Sequence, residues 1–453
     1  MRMIFASLFL LAGVFFVFVT PPFQNPDEPM HFYRSYQLAK SNLFSESNSN
    51  NEYGGQIPLA MRSLVVDSGI EHYSDPSYKF HLSVHKLLSY RYGGEKVFVH
   101  FPSTAIYSPV AYVPSIVAHQ VTALVHAPML VALYLARIFS LLVVLLAFLF
   151  ALKYSPLGRY IFFAVGLLPM TIASAASVSA DAMTLAISVV FTAAVLRISL
   201  HDKKMYVKWL ILISFLALCV GLVKQAQIAL LPLLILPILI NKHYRNKRAY
   251  IWIAVTLLVS LVVFFLWYSK VSSIILNTNP LIQPDLQRAF IIVNPFEFIL
   301  VPFLNTYFTS YPSRFIIDLF GNFGWLTTPM PALFVLISAF TLYFSIGLRG
   351  SGDIALKHYS TRTKLILRVL LVGLFVATTT VISIALYIYW TPYKLPYIEG
   401  IQGRYFIPIL PLLLIPFVGI PNKRQTYSKY LLTACIFVVL VVAGVTIYSR
   451  FYI

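Results

Sequence analysis

The run WLILISFLALCVGLVKQAQIALLPLLILPILI, Trp209 to Ile240, closed by the basic string NKHYRNKR at 241–248, decides how the chain is threaded. About 20 apolar residues span a bilayer core as a helix. The run therefore reads either as one long helix or as two short spans that turn at Lys224, Gln225 and Gln227. Basic residues in short loops stay on the cytoplasmic side. A single helix would carry 241–248 outside and reverse every later loop, so the two-span reading is adopted.

Working outward, the same criterion predicts a first span over Met3–Thr20, read as an uncleaved helix, and further spans near 128–152, 160–178, 181–198, 249–269, 331–348, 365–388, 405–420 and 430–449. With 209–223 and 226–240 that makes about 11 transmembrane helices. The fold class is an all-α polytopic membrane protein, a single transmembrane domain over 1–453. Its large first outer loop, 21–127, carries interfacial helices such as YSPVAYVPSIVAHQVTAL from Tyr107. A second outer segment covers 270–331.

Composition agrees. Of 453 residues 59% are hydrophobic and 11% charged, far below the roughly 25% charged fraction of soluble domains, which excludes a soluble enzyme. The formal charge of +19 reads as topology and not as a nucleic-acid surface. The loops assigned inside hold nearly all of the excess (Arg2; Lys153, Arg159; Arg197, Lys203, Lys204, Lys208; Lys242, Arg245, Lys247, Arg248; Arg349, Lys357, Arg362, Lys364, Arg368; Lys423, Arg424, Lys429), against Asp202 and Asp353 alone as acids. The first outer loop nearly balances its charges. Cys219 and Cys435 both sit in apolar runs, so neither a disulfide framework nor a metal-ligand spacing is present.

The most pointed polar signal is PPFQNPDEPMHFYRSYQLAK from Pro21, where the first span leaves the membrane. A helix starting near Pro29 puts His31 and Arg34 one turn apart, with Asp27 and Glu28 at its mouth. Two carboxylates with a His and an Arg can act as base, orienting partner and anion clamp; the plainer alternative is that Asp27 or Glu28 caps the helix. Arg137, Asp181 and Lys224 are ionisable residues at or inside outer span ends, where charge is costly and commonly faces a cavity or ligand. Arg137, Lys224 and Arg404 form a candidate cradle for a phosphate. Arg314, before GNFGWLTTPMP, and Trp325, within it, and Gln402, Arg404 and Tyr405, in GIQGRYFIPILP, complete the candidate substrate-binding set. Trp325 offers a ring for stacking on a sugar or for interfacial anchoring.

Taken together, PDEPMHFYRSYQLA, YSPVAYVP, LLPMTIASAASVSADAMT, GLVKQAQIALLPLL, GNFGWLTTPMP and GIQGRYFIPILP resemble a family of bacterial polytopic membrane proteins of unassigned function, found among surface-polysaccharide genes. The chain departs from that pattern at Ser108 and Ala180, where proline is usual. The family in turn resembles the GT-C glycosyltransferases, whose acidic motif follows the first span. The resemblance implies that Asp27 and Glu28 are the catalytic carboxylates, that the donor is a polyprenyl-phosphate-linked sugar such as undecaprenyl-phosphate glucose, and that the acceptor is O-antigen or another lipid-linked or lipopolysaccharide glycan.

The expected function is therefore hexose transfer on the periplasmic side of the bacterial inner membrane, as in serotype-converting glucosyltransferases. A lipid-sugar synthase and a flippase would be the pathway partners. No cofactor and no nucleic acid are expected, and a divalent ion is left open. Two other classes compete: a flippase for a lipid-linked glycan, which would show two matching halves with broken helices, and a non-catalytic component of a polysaccharide synthase.

Overall fold

Helices begin and end where proline and polar residues dictate. The N-terminal helix, Arg2–Val19, stops at Thr20 because Pro21 and Pro22 follow it. Pro169 opens a new short helix, Pro169–Ala175, after Arg159–Gly166, so the expected span 160–178 is two pieces. In Gln225–Ile235 and Gly403–Ile409 internal prolines (Pro232, Pro408) remove backbone donors, and both stretches tighten into 3₁₀ turns. Serines and threonines inside apolar helices return their hydroxyls to the preceding turn, as Thr184 does to the Ala180 carbonyl at 2.8 Å and Ser383 to that of Thr379 at 2.8 Å.

The computed structural model describes residues 1–80, 83–201, 207–274, 279–310, 312–350, 353–354, 359–418 and 425–453. Of the loop charges used above, Asp202, Lys203, Lys204, Lys357, Lys423 and Arg424 lie outside the described residues. The protein is mostly helical. Among the described residues, six helices are long and apolar enough to cross a membrane: Arg2–Val19, Met129–Tyr154, Ala180–Leu200, Lys247–Val271, Thr361–Tyr389 and Tyr427–Tyr452. Val207–Val223, Gln225–Ile240, Ala332–Ile346 and Gly403–Phe417 are apolar but shorter. The core is built around the largely buried Ala180–Leu200, with Phe5, Phe9 and Phe148 of the flanking helices packed ring to ring.

Trp209–Ile240 is not one helix: the chain turns at Lys224, which is extended at φ −146°, and folds back so that Ile228 lies over Gly221. The remaining connections gather at two ends. At one, Ile106 accepts hydrogen bonds from Gln225 (3.1 Å) and Trp267 (3.0 Å), Ser108 donates to the Leu222 carbonyl (2.8 Å), Trp325 donates to that of Phe23 (3.2 Å), and Phe80 N–H donates to that of Phe451 (2.8 Å). At the other, Tyr359 donates to the Leu200 carbonyl and Asn241 to those of Ile198 and His201, each at 2.8 Å, and Ile354 N–H reaches the Pro156 carbonyl at 2.8 Å. The first end carries the loop 21–127.

Two features amend the sequence reading. The loop 21–127 is not purely helical: strands β1 (Glu46–Ser47), β2 (Tyr53–Pro58) and β3 (Lys96–His100) form an antiparallel sheet in that order. Short, glycine- and proline-bearing strands such as YGGQIP carry little alternation to read. The helix Val113–Leu124 within the loop buries Ser115, Ala118, His119 and Thr122, and exposes Val113, Val117, Val121 and Leu124. The segment 270–331, expected as a plain outer loop, contains an apolar helix pair, Pro284–Val293 and Pro295–Ser310, bent by 107°. Both arms bond to the same stretch: Gln287 to the Tyr387 carbonyl (3.0 Å), Asn305 to that of Pro396 (3.1 Å). The pair therefore returns to the end from which it starts.

Candidate functional site

After Pro21 and Pro22 the chain must reverse from the end of one helix into the start of the next, and Phe23 (φ 63°) and Asp27 (φ 58°) take left-handed conformations to do so. Asp tolerates this region better than most residues. Asp27 is the N-cap of the helix Glu28–Ala39 by position, yet its side chain makes no capping hydrogen bond. Its half-buried carboxylate accepts no hydrogen bond among the described residues. Burial raises its carboxyl above the ordinary 3.8, against the opposing pull of Arg404, with Asp181 adding to the rise and Lys224 lowering it. The carboxylate is thus left free in a left-handed turn and does not cap the helix.

Glu28 has the opposite surroundings. Its carboxylate is fully buried and gripped in a fork by Arg137, Nε to Oε1 at 2.8 Å and Nη2 to Oε2 at 2.6 Å. Val178 N–H (3.0 Å) and Asn25 Nδ2 (3.3 Å) also donate to Oε1. The other donors of Arg137 reach the carbonyls of Val17 (2.9 Å), Thr20 (2.8 Å) and Pro21 (3.0 Å), so all five of its N–H groups are engaged. This corrects two expectations. Glu28 has no free oxygen with which to take a proton, and Arg137 has no donor left for a phosphate. Together they clamp the end of the first helix to the turn that presents Asp27.

Around Asp27 the structure brings together residues from four distant stretches. Asp181, in the first turn of Ala180–Leu200, is paired with Lys224 and lies 3.7 Å from Arg404 Nε. Arg404 Nε also donates to Gln402 Oε1 at 2.7 Å. The Lys224 ammonium sits over the Tyr405 ring, 4.9 Å from its centroid, and 5.9 Å from that of Tyr107. His31 stacks with Tyr107 at 6.1 Å, and its Nδ1 is 2.6 Å from the Tyr112 hydroxyl. Burial lowers the His31 imidazole to about 3, so it is neutral there. The cluster thus holds two cations, one carboxylate shared between them and one free carboxylate. Arg404 further lines a small cleft with Asn25, Ser174, Ser177 and Gly324.

The other sequence candidates fall outside this cluster. Arg34 is fully buried and donates to Gln37 and to the carbonyls of Leu43 (2.8 Å) and Tyr107 (3.1 Å), a structural tie and not the anion clamp expected of it. Trp325 is occupied by the Phe23 carbonyl and lies 4.7 Å from the Tyr73 ring, so it anchors the hairpin β4–β5 (Asn322–Phe323, Thr328–Pro329) on the outer loop. Arg314 is exposed and lines a separate cavity. Tyr107 and Tyr112 were missed as site residues; the signal was their place in YSPVAYVP. Among the described residues no group of three or more His, Cys, Asp or Glu is placed to hold a metal ion.

Several membrane-length apolar helices with a charged cluster at the end of the first define a multi-pass membrane protein with a polar site at one end of its bundle. The chain belongs to the family described as predicted membrane protein (DUF2142), which it matches over residues 9–413, a stretch that includes every residue of the cluster. No curated protein and no solved structure matches it.

Proposed function

We propose that the chain is a glycosyltransferase of GT-C type in the bacterial inner membrane, crossing it eleven times, with the Asp27 cluster facing the periplasm. One observation carries the reading: Asp27 presents a carboxylate with no hydrogen-bond partner, raised by burial, beside Lys224 and Arg404. The donor is a polyprenyl-phosphate hexose such as undecaprenyl-phosphate glucose, and the acceptor an O-antigen or other surface glycan. Outside the cytoplasm no nucleotide sugar is at hand, which favours a lipid-borne donor.

Asp27 takes the proton of the acceptor hydroxyl as that oxygen bonds to the anomeric carbon. The bond from that carbon to the phosphate oxygen breaks, and the polyprenyl phosphate departs with the electron pair. Lys224 and Arg404 are the cations available to that phosphate, and Asp181, shared between them, holds them in place. His31, neutral and fixed by Tyr112, walls the site. A lipid-sugar synthase and a flippase would supply the donor. The eleven-crossing count takes the four shorter helices and the broken pair 159–175 as full crossings, which their alternating end contacts favour.

The test uses the purified full chain in lipid, polyprenyl-phosphate glucose and a lipid-linked glycan, with sugar transfer followed directly. The reading expects transfer by the native chain and none by Asp27→Asn. If the native chain transfers no sugar from any polyprenyl-phosphate donor but translocates the lipid-linked glycan, the transporter reading replaces it.

A further inference from the structure

A second cavity, of about 250 Å³, opens between the returning arm 295–310, the helix Pro312–Phe320 and the loop before Gly403. Its walls include the rings of Tyr307 and Phe315 and the polar groups of Thr306, Arg314, Glu399 and Gln402. Two properties single it out. The rings are held rigid: the Tyr307 hydroxyl is 2.9 Å from Ser383 Oγ, and Phe315 stands edge-on to Tyr307 (5.6 Å) and to Phe406 (5.1 Å). The wall behind them is stitched by Ile398 N–H donating to Thr306 Oγ1 at 2.7 Å. The charges are not paired with each other: Arg314 and Glu399 line the same space, neither side chain has an ion pair within 4.0 Å or a hydrogen bond among the described residues, and the one carboxylate that Arg314 acts on, at longer range, is Asp318 on its own helix.

Fixed aromatic surface beside a few unpaired planar polar groups suits a ligand with apolar ring faces and hydroxyl edges. A cation and an anion that share a cavity without pairing suit a neutral ligand that both donates and accepts. We infer that this cavity binds a pyranose ring, its face against Tyr307 or Phe315, its hydroxyls donating to Glu399 and accepting from Arg314. This rests on the glycosyltransferase reading for its role. Gln402 belongs to the cavity wall and also holds Arg404 Nε, so the ring bound here is coupled to the Asp27 cluster.

Saturation-transfer NMR on the full chain in lipid nanodiscs, with a panel of methyl hexopyranosides as probes, reads binding without catalysis. The native chain and Asp27→Asn should both show transfer to ring protons of at least one hexoside. Glu399→Gln and Arg314→Gln, each monodisperse on size exclusion, should weaken that binding by about tenfold to a hundredfold, the range for losing one charge-assisted hydrogen bond. In the transfer assay, a raised KM for the glycan at unchanged kcat places the acceptor ring here, and a raised KM for the lipid-linked sugar places the donor ring. Hexoside binding that is unchanged in both variants, or absent from the native chain, overturns the cavity assignment. Hexoside binding sensitive to the variants but without any sugar transfer leaves the cavity assignment standing and removes the glycosyltransferase reading.

Discussion

Asp27 and Glu28 are sequence neighbours with opposite surroundings, and substitution should separate them. Asp27→Asn keeps the shape of the side chain and removes the proton-accepting oxygen. Turnover should collapse while expression stays intact. Burial raises the Asp27 carboxyl, so between 3.8 and its folded-state value the native chain holds a proton that the unfolded chain has lost. Stability from this group therefore falls as pH rises through that window. Asp27→Asn removes the penalty, and its Tm at neutral pH should equal or exceed that of the native chain. The same shift sets the acid limb of the pH–rate profile: kcat/KM should rise with pH to an inflection above 3.8. Glu28→Gln and Arg137→Gln should behave otherwise, since each leaves a buried charge without its partner; a loss of about 3 to 5 kcal/mol follows, seen as poor expression and a lower Tm. A stable, inactive Glu28→Gln would reverse the assignment of the two carboxylates. The acidic pair itself was legible in the sequence. The difference in their surroundings was not, because the partners of Glu28 lie at Arg137 and Val178, far along the chain.

At the level of elements, the most exacting contact is between Gly403 and the helix Pro312–Phe320. A Cβ built on Gly403 would come within 2.3 Å of the Leu319 nitrogen and 2.3 Å of the Phe315 carbonyl oxygen. These are backbone atoms and cannot turn aside. Gly403→Ala should therefore displace Arg404 and Gln402 together, lowering both Tm and transfer. Gly373, with open space around it in Thr361–Tyr389, is the control, and Gly373→Ala should leave Tm unchanged or somewhat raised, because alanine is the better helix former. Equal Tm values for the two variants would contradict the close approach. GIQGRYF was recognisable as a motif from its residues, but the reason for its second glycine lies on another helix. Runs of apolar residues located the helices well because hydropathy is local. Helix lengths, the bend of 107° in 284–310 and the strands in the outer loop escaped notice because tertiary partners decide them.

For the whole molecule, the parity of the threading can be read from its two termini. The end of the last helix is fastened to the loop that follows the first. Arg450 donates to the carbonyls of Tyr78 (2.9 Å) and Asp75 (2.7 Å), Lys79 to that of Ser449 (3.0 Å), and Phe80 packs edge-on against Phe451 at 5.5 Å. The residues around Phe451 therefore share a side with the loop 21–127, and the first helix separates that loop from Met1. On the proposed threading, in which the first helix crosses the membrane, this requires an odd number of crossings, which six helices alone would not give and eleven would. With basic residues held inside, the C-terminal end should lie outside with the acidic loop. A periplasm-dependent alkaline phosphatase fused after Ile453 should be active, and one fused at Asn246, in the basic turn 241–248, inactive. In a chain cleared of Cys219 and Cys435, a cysteine at Ile453, which is 75% exposed, should react with a membrane-impermeant maleimide in intact cells. A cysteine at Asn246 should react only after the membrane is opened. Labelling of Asn246 but not Ile453 in intact cells would invert the molecule and put the Asp27 cluster in the cytoplasm, where the argument for a lipid-borne donor no longer applies.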